Sequence, residues 1–130
     1  MDAIILAGGY GTRLKGVWDA PKCLIPVQGK PIIGHLLDRL APLQPRCIVF
    51  ALGHKSQEVL QWIWDNKMGN GLEVVIDPEP IGTANALRRA LPAVDAPVMV
   101  LNGDTLPEYD LTNLLKAHIT TGITAAWKHE

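Results

Sequence analysis

Cysteine is scarce in this chain. There are two, Cys23 and Cys47, in 130 residues. They form no CxxC pair and no histidines cluster around them, which argues against a tetrahedral zinc site. They read as reduced, partly buried thiols of a cytoplasmic protein. An excess of one charge is missing too. Twelve Lys and Arg face thirteen Asp and Glu, for a net charge of −1, so no basic footprint points to nucleic acid. No apolar run is long enough to span a bilayer, which argues against a membrane protein. Met1-Asp2 runs straight into an apolar strand, so the expectation is of a chain without a secretory leader. There is no internal repeat, low-complexity tract or linker. His35, His54, His118 and His129 are scattered, without the spacing of metal ligands. What remains is an ordinary globular composition, 48% hydrophobic and 19% charged. The length suits one domain with a single core over residues 1–130.

The informative stretch is Leu6-Ala7-Gly8-Gly9-Tyr10-Gly11-Thr12-Arg13-Leu14. It follows the apolar run Ala3-Ile4-Ile5-Leu6, which reads as a buried strand. Three glycines let the backbone turn tightly and approach a ligand. The N–H groups freed in such a turn suit a phosphate. Arg13 adds a permanent charge with a planar fork of donors. Lys22 follows in Pro21-Lys22-Cys23-Leu24-Ile25-Pro26-Val27. Strand, glycine loop and arginine together suggest a nucleotide site. Taken alone, Arg13 reads equally as a solvated surface residue, and Lys22 as a lysine following a turn proline.

Strand and helix signals alternate along the chain. Strands are expected at 3–6, 47–52, 72–76 and 98–101, with a fifth at 123–127. Helices are expected at 32–40, 56–65, 83–91 and 111–118, from apolar residues at helical spacing. Pro42 and Pro45 end the first helix and Pro92 the third. Continuous apolar strands alternating with helices imply an α/β fold of Rossmann-like type. It is a three-layer sandwich whose mostly parallel central sheet is covered on both faces. Ligands sit beyond the carboxyl ends of such strands. The glycine loop, the segment Asp77 to Gly82 and Asn102-Gly103-Asp104 all fall on that rim. Trp62 and Trp64 share a helix with Ile63, so at least one should pack in the core. Trp18 lies between Arg13 and Lys22 and reads as a loop anchor, with a nucleotide lid as the alternative.

Four segments in order carry a resemblance: Leu6 to Leu14; Pro21-Lys22 with Pro26-Val27-Gln28-Gly29-Lys30-Pro31; Glu79-Pro80-Ile81-Gly82-Thr83-Ala84; and Leu101-Asn102-Gly103-Asp104-Thr105. Together they resemble the sugar-1-phosphate nucleotidyltransferases. These enzymes join a nucleoside triphosphate to a sugar 1-phosphate and release pyrophosphate. The resemblance is strongest to the guanylyltransferases for mannose or heptose 1-phosphate.

It implies catalytic roles for Arg13, Lys22 and Asp104. Arg13 would hold the departing phosphates, Lys22 the α-phosphate or the sugar phosphate, and Asp104 a Mg²⁺ ion. Mg²⁺ is a hard ion that takes oxygen ligands and bridges phosphates; the alternative is that Asp104 caps a turn. The nucleotide would contact Leu6, Ala7, Gly8, Gly9, Gly11, Thr12, Arg13, Lys22, Asp77, Gly82, Asn102 and Asp104. Asp77, five positions before Gly82, would read the base edge. A carboxylate only accepts hydrogen bonds, which matches the adjacent donors of guanine. Glu79 is a second candidate, and Asp77-Pro78 beginning a turn is the plain alternative.

The match also has limits. The family's domain continues past the point matched by Glu130, and that part supplies most of the sugar pocket and a second metal-binding aspartate. Glu108, Asp110 and Glu130 lie in no matching motif. The chain therefore reads as the nucleotide-binding half of a transferase, truncated relative to the family. A homo-oligomer is admitted, because an uncovered sheet edge favours pairing with another chain. A non-catalytic nucleotide-binding module acting through a partner is the alternative function. A dehydrogenase-type dinucleotide fold fits poorly, since its third glycine would stand where Leu14 is.

Overall fold

In a computed structural model, residues 1–8, 20–53, 56–66, 71–77, 82–95 and 97–122 are described. The elements follow in chain order. They are β1 (Asp2–Ala7), β2 (Pro26–Val27), β3 (Lys30–Pro31), α1 (Ile32–Leu40), β4 (Ile48–Leu52), α2 (Ser56–Asp65), β5 (Leu72–Ile76), α3 (Thr83–Ala90), β6 (Val98–Asn102) and α4 (Leu111–Thr121). The central sheet has the order β5-β4-β1-β6, and every pairing in it is parallel. In register, Ala3 faces Ile48 on one side and Met99 on the other. The strand expected at 123–127 lies outside the described residues.

Alternation along the strands builds the layers. Ala3 and Ile5 of β1 point to one face, with Phe50, Leu52, Met99 and Leu101; that face packs against α1, α2 and α4 through Ile33, Leu36, Leu40, Val59 and Leu111. Ile4 points to the other face, with Val49 and Ala51, and meets Ala86, Leu87 and Ala90 of α3. Each such side chain, fully buried, contributes about 1.5–3 kcal/mol of transfer free energy. The three-layer α/β sandwich is therefore as the alternation of segments implies. No described helix is long and apolar enough to cross a membrane.

Sequence periodicity misses the antiparallel hairpin β2–β3. Its turn residues, Gln28 and Gly29, have φ of 51° and 78°, the backbone of a two-residue hairpin loop. The hairpin is tied down on α1. The His35 Nε2–H donates to the Val27 carbonyl at 2.7 Å, and Lys30 pairs with Asp38. At the opposite end of the sheet from the rim, Asp2 is buried. Its Oδ2 accepts from Arg46 and from the Asp95 amide, the latter at 2.8 Å. Among the described residues its Oδ1 has no hydrogen-bond partner.

Candidate functional site

The chain leaves β1 for β4 and β5 on one side, then crosses back to β6 on the other. The strand order thus reverses at β1, and ligands of open parallel sheets bind in the crevice beyond such a reversal. The ends of β1 and β6 flank that crevice. The Gly103 N–H donates to the Leu6 carbonyl at 2.8 Å. A Cβ on Gly103 would stand 3.0 Å from both the Leu6 oxygen and the Ala7 Cβ, so only glycine lets β6 run this close to β1.

The backbone contact continues along the rim on the far side of β1. A Cβ on Gly53, just after β4, would stand 3.0 Å from the Gly8 oxygen and 3.1 Å from the Asp77 oxygen. The Asp77 N–H donates to the Leu52 carbonyl at 2.8 Å. Gly8, Gly53 and Asp77 are therefore close neighbours at the strand ends.

Lys22 opens a short 3-10 turn, Lys22–Leu24, and is half-buried. This turn is held from both sides, because Ile25 N–H donates to the Lys22 carbonyl and Ile32 N–H donates to the Ile25 carbonyl. Cys23 beside it is buried, and its thiol is pushed up to about 12 by burial first and then by the nearby charge of Asp104. Cys23 is thus a neutral thiol, too weakly acidic to act as a nucleophile. Cys47 is buried as well, and burial and then Glu73 raise its thiol. Both cysteines are more deeply buried than their spacing alone implied.

Asn102 ends β6 and is exposed, as is Asp104. One Asp104 oxygen accepts from the Thr105 hydroxyl at 3.1 Å. Among the described residues, no three His, Cys, Asp or Glu side chains gather at one point. Asp104 thus offers one exposed carboxylate. That suits a hard cation which takes its other ligands from phosphates and water.

Asp77 directly follows β5. It is 4% exposed, and its carboxylate faces α3. The Asn85 Nδ2–H donates to Oδ2 at 2.9 Å, and Arg89 Nε lies 3.6 Å from Oδ1. Gly82 is exposed at the N-terminus of α3 with φ 124°, a backbone that side chains with a Cβ rarely adopt. Gly9, Gly11, Thr12, Arg13, Trp18 and Glu79 lie outside the described residues. The described part of the rim thus brings together Leu6, Ala7, Gly8, Asp77, Asn102 and Asp104. Asn85 and Arg89 are the residues that motif reading misses. Their signal is positional, since they stand four apart on a helix that starts at the rim. A separate open groove of about 640 Å³, lined by Leu24, Pro26, Pro31 and Trp62, lies between the hairpin and α2. None of the described site residues lines it.

A family model described as the MobA-like NTP transferase domain matches residues 3–130. The chain belongs to that family. This transferase domain is 35% identical over 115 residues to the D-glycero-alpha-D-manno-heptose 1-phosphate guanylyltransferase of Campylobacter jejuni, covering 88% of the chain and 52% of that protein. It is 34% identical over 128 residues to the mannose-1-phosphate guanyltransferase of Pichia angusta, covering 94% of the chain and 35% of that protein. Among solved structures it resembles HddC of Yersinia pseudotuberculosis, complexed with GMP-PN. The TM-score is 0.79 at 32% identity, over 91% of the chain and 54% of HddC. The transferase domain thus spans about half the length of the Campylobacter and Yersinia proteins.

Proposed function

We propose that this domain binds a nucleoside triphosphate, GTP in particular, and supplies the nucleotide half of a sugar-1-phosphate nucleotidyltransferase. The observation that carries the reading is the Gly103–Leu6 contact at the switch point. It sets the end of β6, with Asp104, beside the end of β1, where the glycine loop begins. In the reaction, an oxygen of the sugar 1-phosphate forms a bond to the α-phosphorus. The bond from that phosphorus to the bridging oxygen breaks, and pyrophosphate leaves with the electron pair. Positioning and charge stabilisation are the main demands on the protein.

Three side chains answer those demands. Arg13 neutralises the departing phosphates. Lys22, held by its turn, presents an ammonium to the α-phosphate or to the incoming sugar phosphate. Asp104 would hold Mg²⁺, which supplies charge neutralisation to the phosphates when bound. Asp77 reads the base, and the guanylyl-transferring relatives support guanine. The two neutral thiols fit the cytoplasm, where we place the protein.

The test is pyrophosphate release by the 130-residue chain with GTP, Mg²⁺ and mannose or heptose 1-phosphate, alongside thermal shifts with five nucleoside triphosphates. The largest shift with GTP is expected; release in addition means that these 130 residues carry the transfer step themselves. Shifts without release mean that the domain binds nucleotide and serves as a module. Equal or absent shifts for all five overturn the reading.

A further inference from the structure

Two helices on opposite faces of the sheet carry complementary stripes. On α2, Glu58, Trp62 and Asp65 stand at i, i+4 and i+7, along one side of the helix. All three line the open groove between α2 and the hairpin, together with Leu24, Pro26 and Pro31. Trp62 is held in place. It packs on the core, and its Cζ2 lies 3.3 Å from where a Cβ on Gly34 of α1 would stand. Glu58 and Asp65 are exposed, and no ion pair among the described residues uses either. The described residues that line the groove include no cation. An apolar trough with a fixed indole and two carboxylates suits a cation beside an apolar side chain. A guanidinium suits it best, since it is drawn both to an aromatic ring and to carboxylates.

The outer side of α3 has that chemistry. Its inner side, Ala86, Leu87 and Ala90, packs on the sheet. Arg88 and Leu91 stand three apart on the other side, both exposed, Leu91 at 46%. The backbone is still helical at Leu91, with φ −54° and ψ −38°, so the two form one ridge. Arg88 takes part in no ion pair among the described residues.

We propose that Arg88 and Leu91 of one copy of this chain seat in the Trp62 groove of a second copy. Leu91 meets Leu24 and the two prolines, and Arg88 meets Glu58 and Asp65. This is recognition of a helix by a groove. Ridge and groove lie on opposite faces of the sheet, so the contact is head-to-tail. Each copy that accepts a ridge still offers its own. Association therefore continues into a ring or an open chain instead of stopping at a two-fold dimer. Salt weakens it, because the charges are exposed. The proposal is independent of the nucleotide reading.

The experiment is sedimentation velocity of the 130-residue chain over a concentration series, at low and at high sodium chloride. Circular dichroism melts confirm that each variant folds. The mass of wild type is expected to climb with concentration past that of a dimer, and to fall at high salt. Arg88→Glu and Glu58→Arg should each weaken the association about tenfold. Leu91→Ser should weaken it as well. The double variant Glu58→Arg/Arg88→Glu should recover it, since the pair is restored with its charges exchanged. Lys116→Glu makes the same change of net charge at an exposed position on α4 and should associate as wild type does. A monomer at every concentration overturns the proposal and leaves the groove to another occupant. A mass that stops at the dimer overturns the head-to-tail contact. The proposal also falls if the Glu58 and Arg88 variants associate as wild type does, or if the double variant fails to recover. It falls as well if Lys116→Glu disperses the protein as much as Arg88→Glu.

Discussion

Gly103 donates its N–H to the Leu6 carbonyl at 2.8 Å, one residue beyond the end of β6. The bond carries the ladder past the strand and ties the loop bearing Asp104 to the strand that feeds the glycine loop. The start of the Asp104 loop is therefore held against the end of β1 by a backbone contact.

That contact has a direct test. Gly103→Val puts a branched side chain where even a Cβ meets the Leu6 oxygen at 3.0 Å. The strand ends must part, at a cost of about 1–3 kcal/mol for overpacking. A lower Tm and weaker triphosphate binding are expected. Calorimetry and nucleotide titration check both, and an unchanged affinity would show that the crevice tolerates widening.

Asp104→Asn preserves shape and removes charge. The side chain is exposed and accepts one hydrogen bond from Thr105, so the melting temperature without ligand should hardly move. Mg²⁺-dependent nucleotide binding should fall sharply. If the variant instead unfolds with its metal dependence intact, Asp104 is a structural cap.

Arg13→Ala should weaken triphosphate binding without altering the fold. In the full-length enzyme it should lower turnover by about 10²–10³, the loss expected for one preorganised charge-stabilising donor. Gly11→Val should block the approach of phosphate. Nucleotide titration and pyrophosphate release measure both variants, and wild-type behaviour in Arg13→Ala removes this residue from the site.

The buried Asp2 gives stability a pH dependence. Burial pushes its carboxyl up, but the Asp95 amide and the Arg46 guanidinium outweigh burial and leave it below the ordinary value. A carboxyl lowered on folding stabilises above its unfolded value, about 3.9, and loses that contribution as pH falls through the folded one. Asp2→Asn should therefore cost about 1–3 kcal/mol at pH 7. Its deficit against wild type should shrink below about pH 4. Urea melts from pH 7 to pH 2 follow the difference, and a deficit constant with pH would rule out ionisation as its source.

Much of the fold is legible in periodicity. The helices at Ile32–Leu40 and Ser56–Asp65 and the strand at Leu72–Ile76 begin and end where apolar spacing puts them, because each buries a continuous face. Leu91-Pro92-Ala93 leaves α3 as a 3-10 turn, since the proline removes the next helical donor. The hairpin β2–β3 is illegible because strands of two residues have no period. The site divides in the same way. Glycines and charges at a strand end announce a loop, so Gly8, Asn102 and Asp104 are readable as rim residues. The contacts of Asp77 are not, because Asn85 and Arg89 belong to a helix packed on a face of the sheet. Nor is the cluster of Asp2, Arg46 and Asp95, which joins residues far apart in the chain. Of the two tryptophans on α2, Trp62 packs against the core and Trp64 is 80% exposed.

The sheet order has a kinetic consequence. Ala3 must find Ile48 on one side and Met99 on the other, so β1 waits at the start of the chain for a partner close to its end. Closing that long loop costs entropy before the pairing repays it, and chains rich in such distant contacts fold slowly. The β1–β4–β5 portion can assemble early, since its members follow one another. The crevice between β1 and β6 exists only after the last, longest closure. Nucleotide binding during refolding is therefore expected to follow the β1–β6 pairing rather than the collapse of the core.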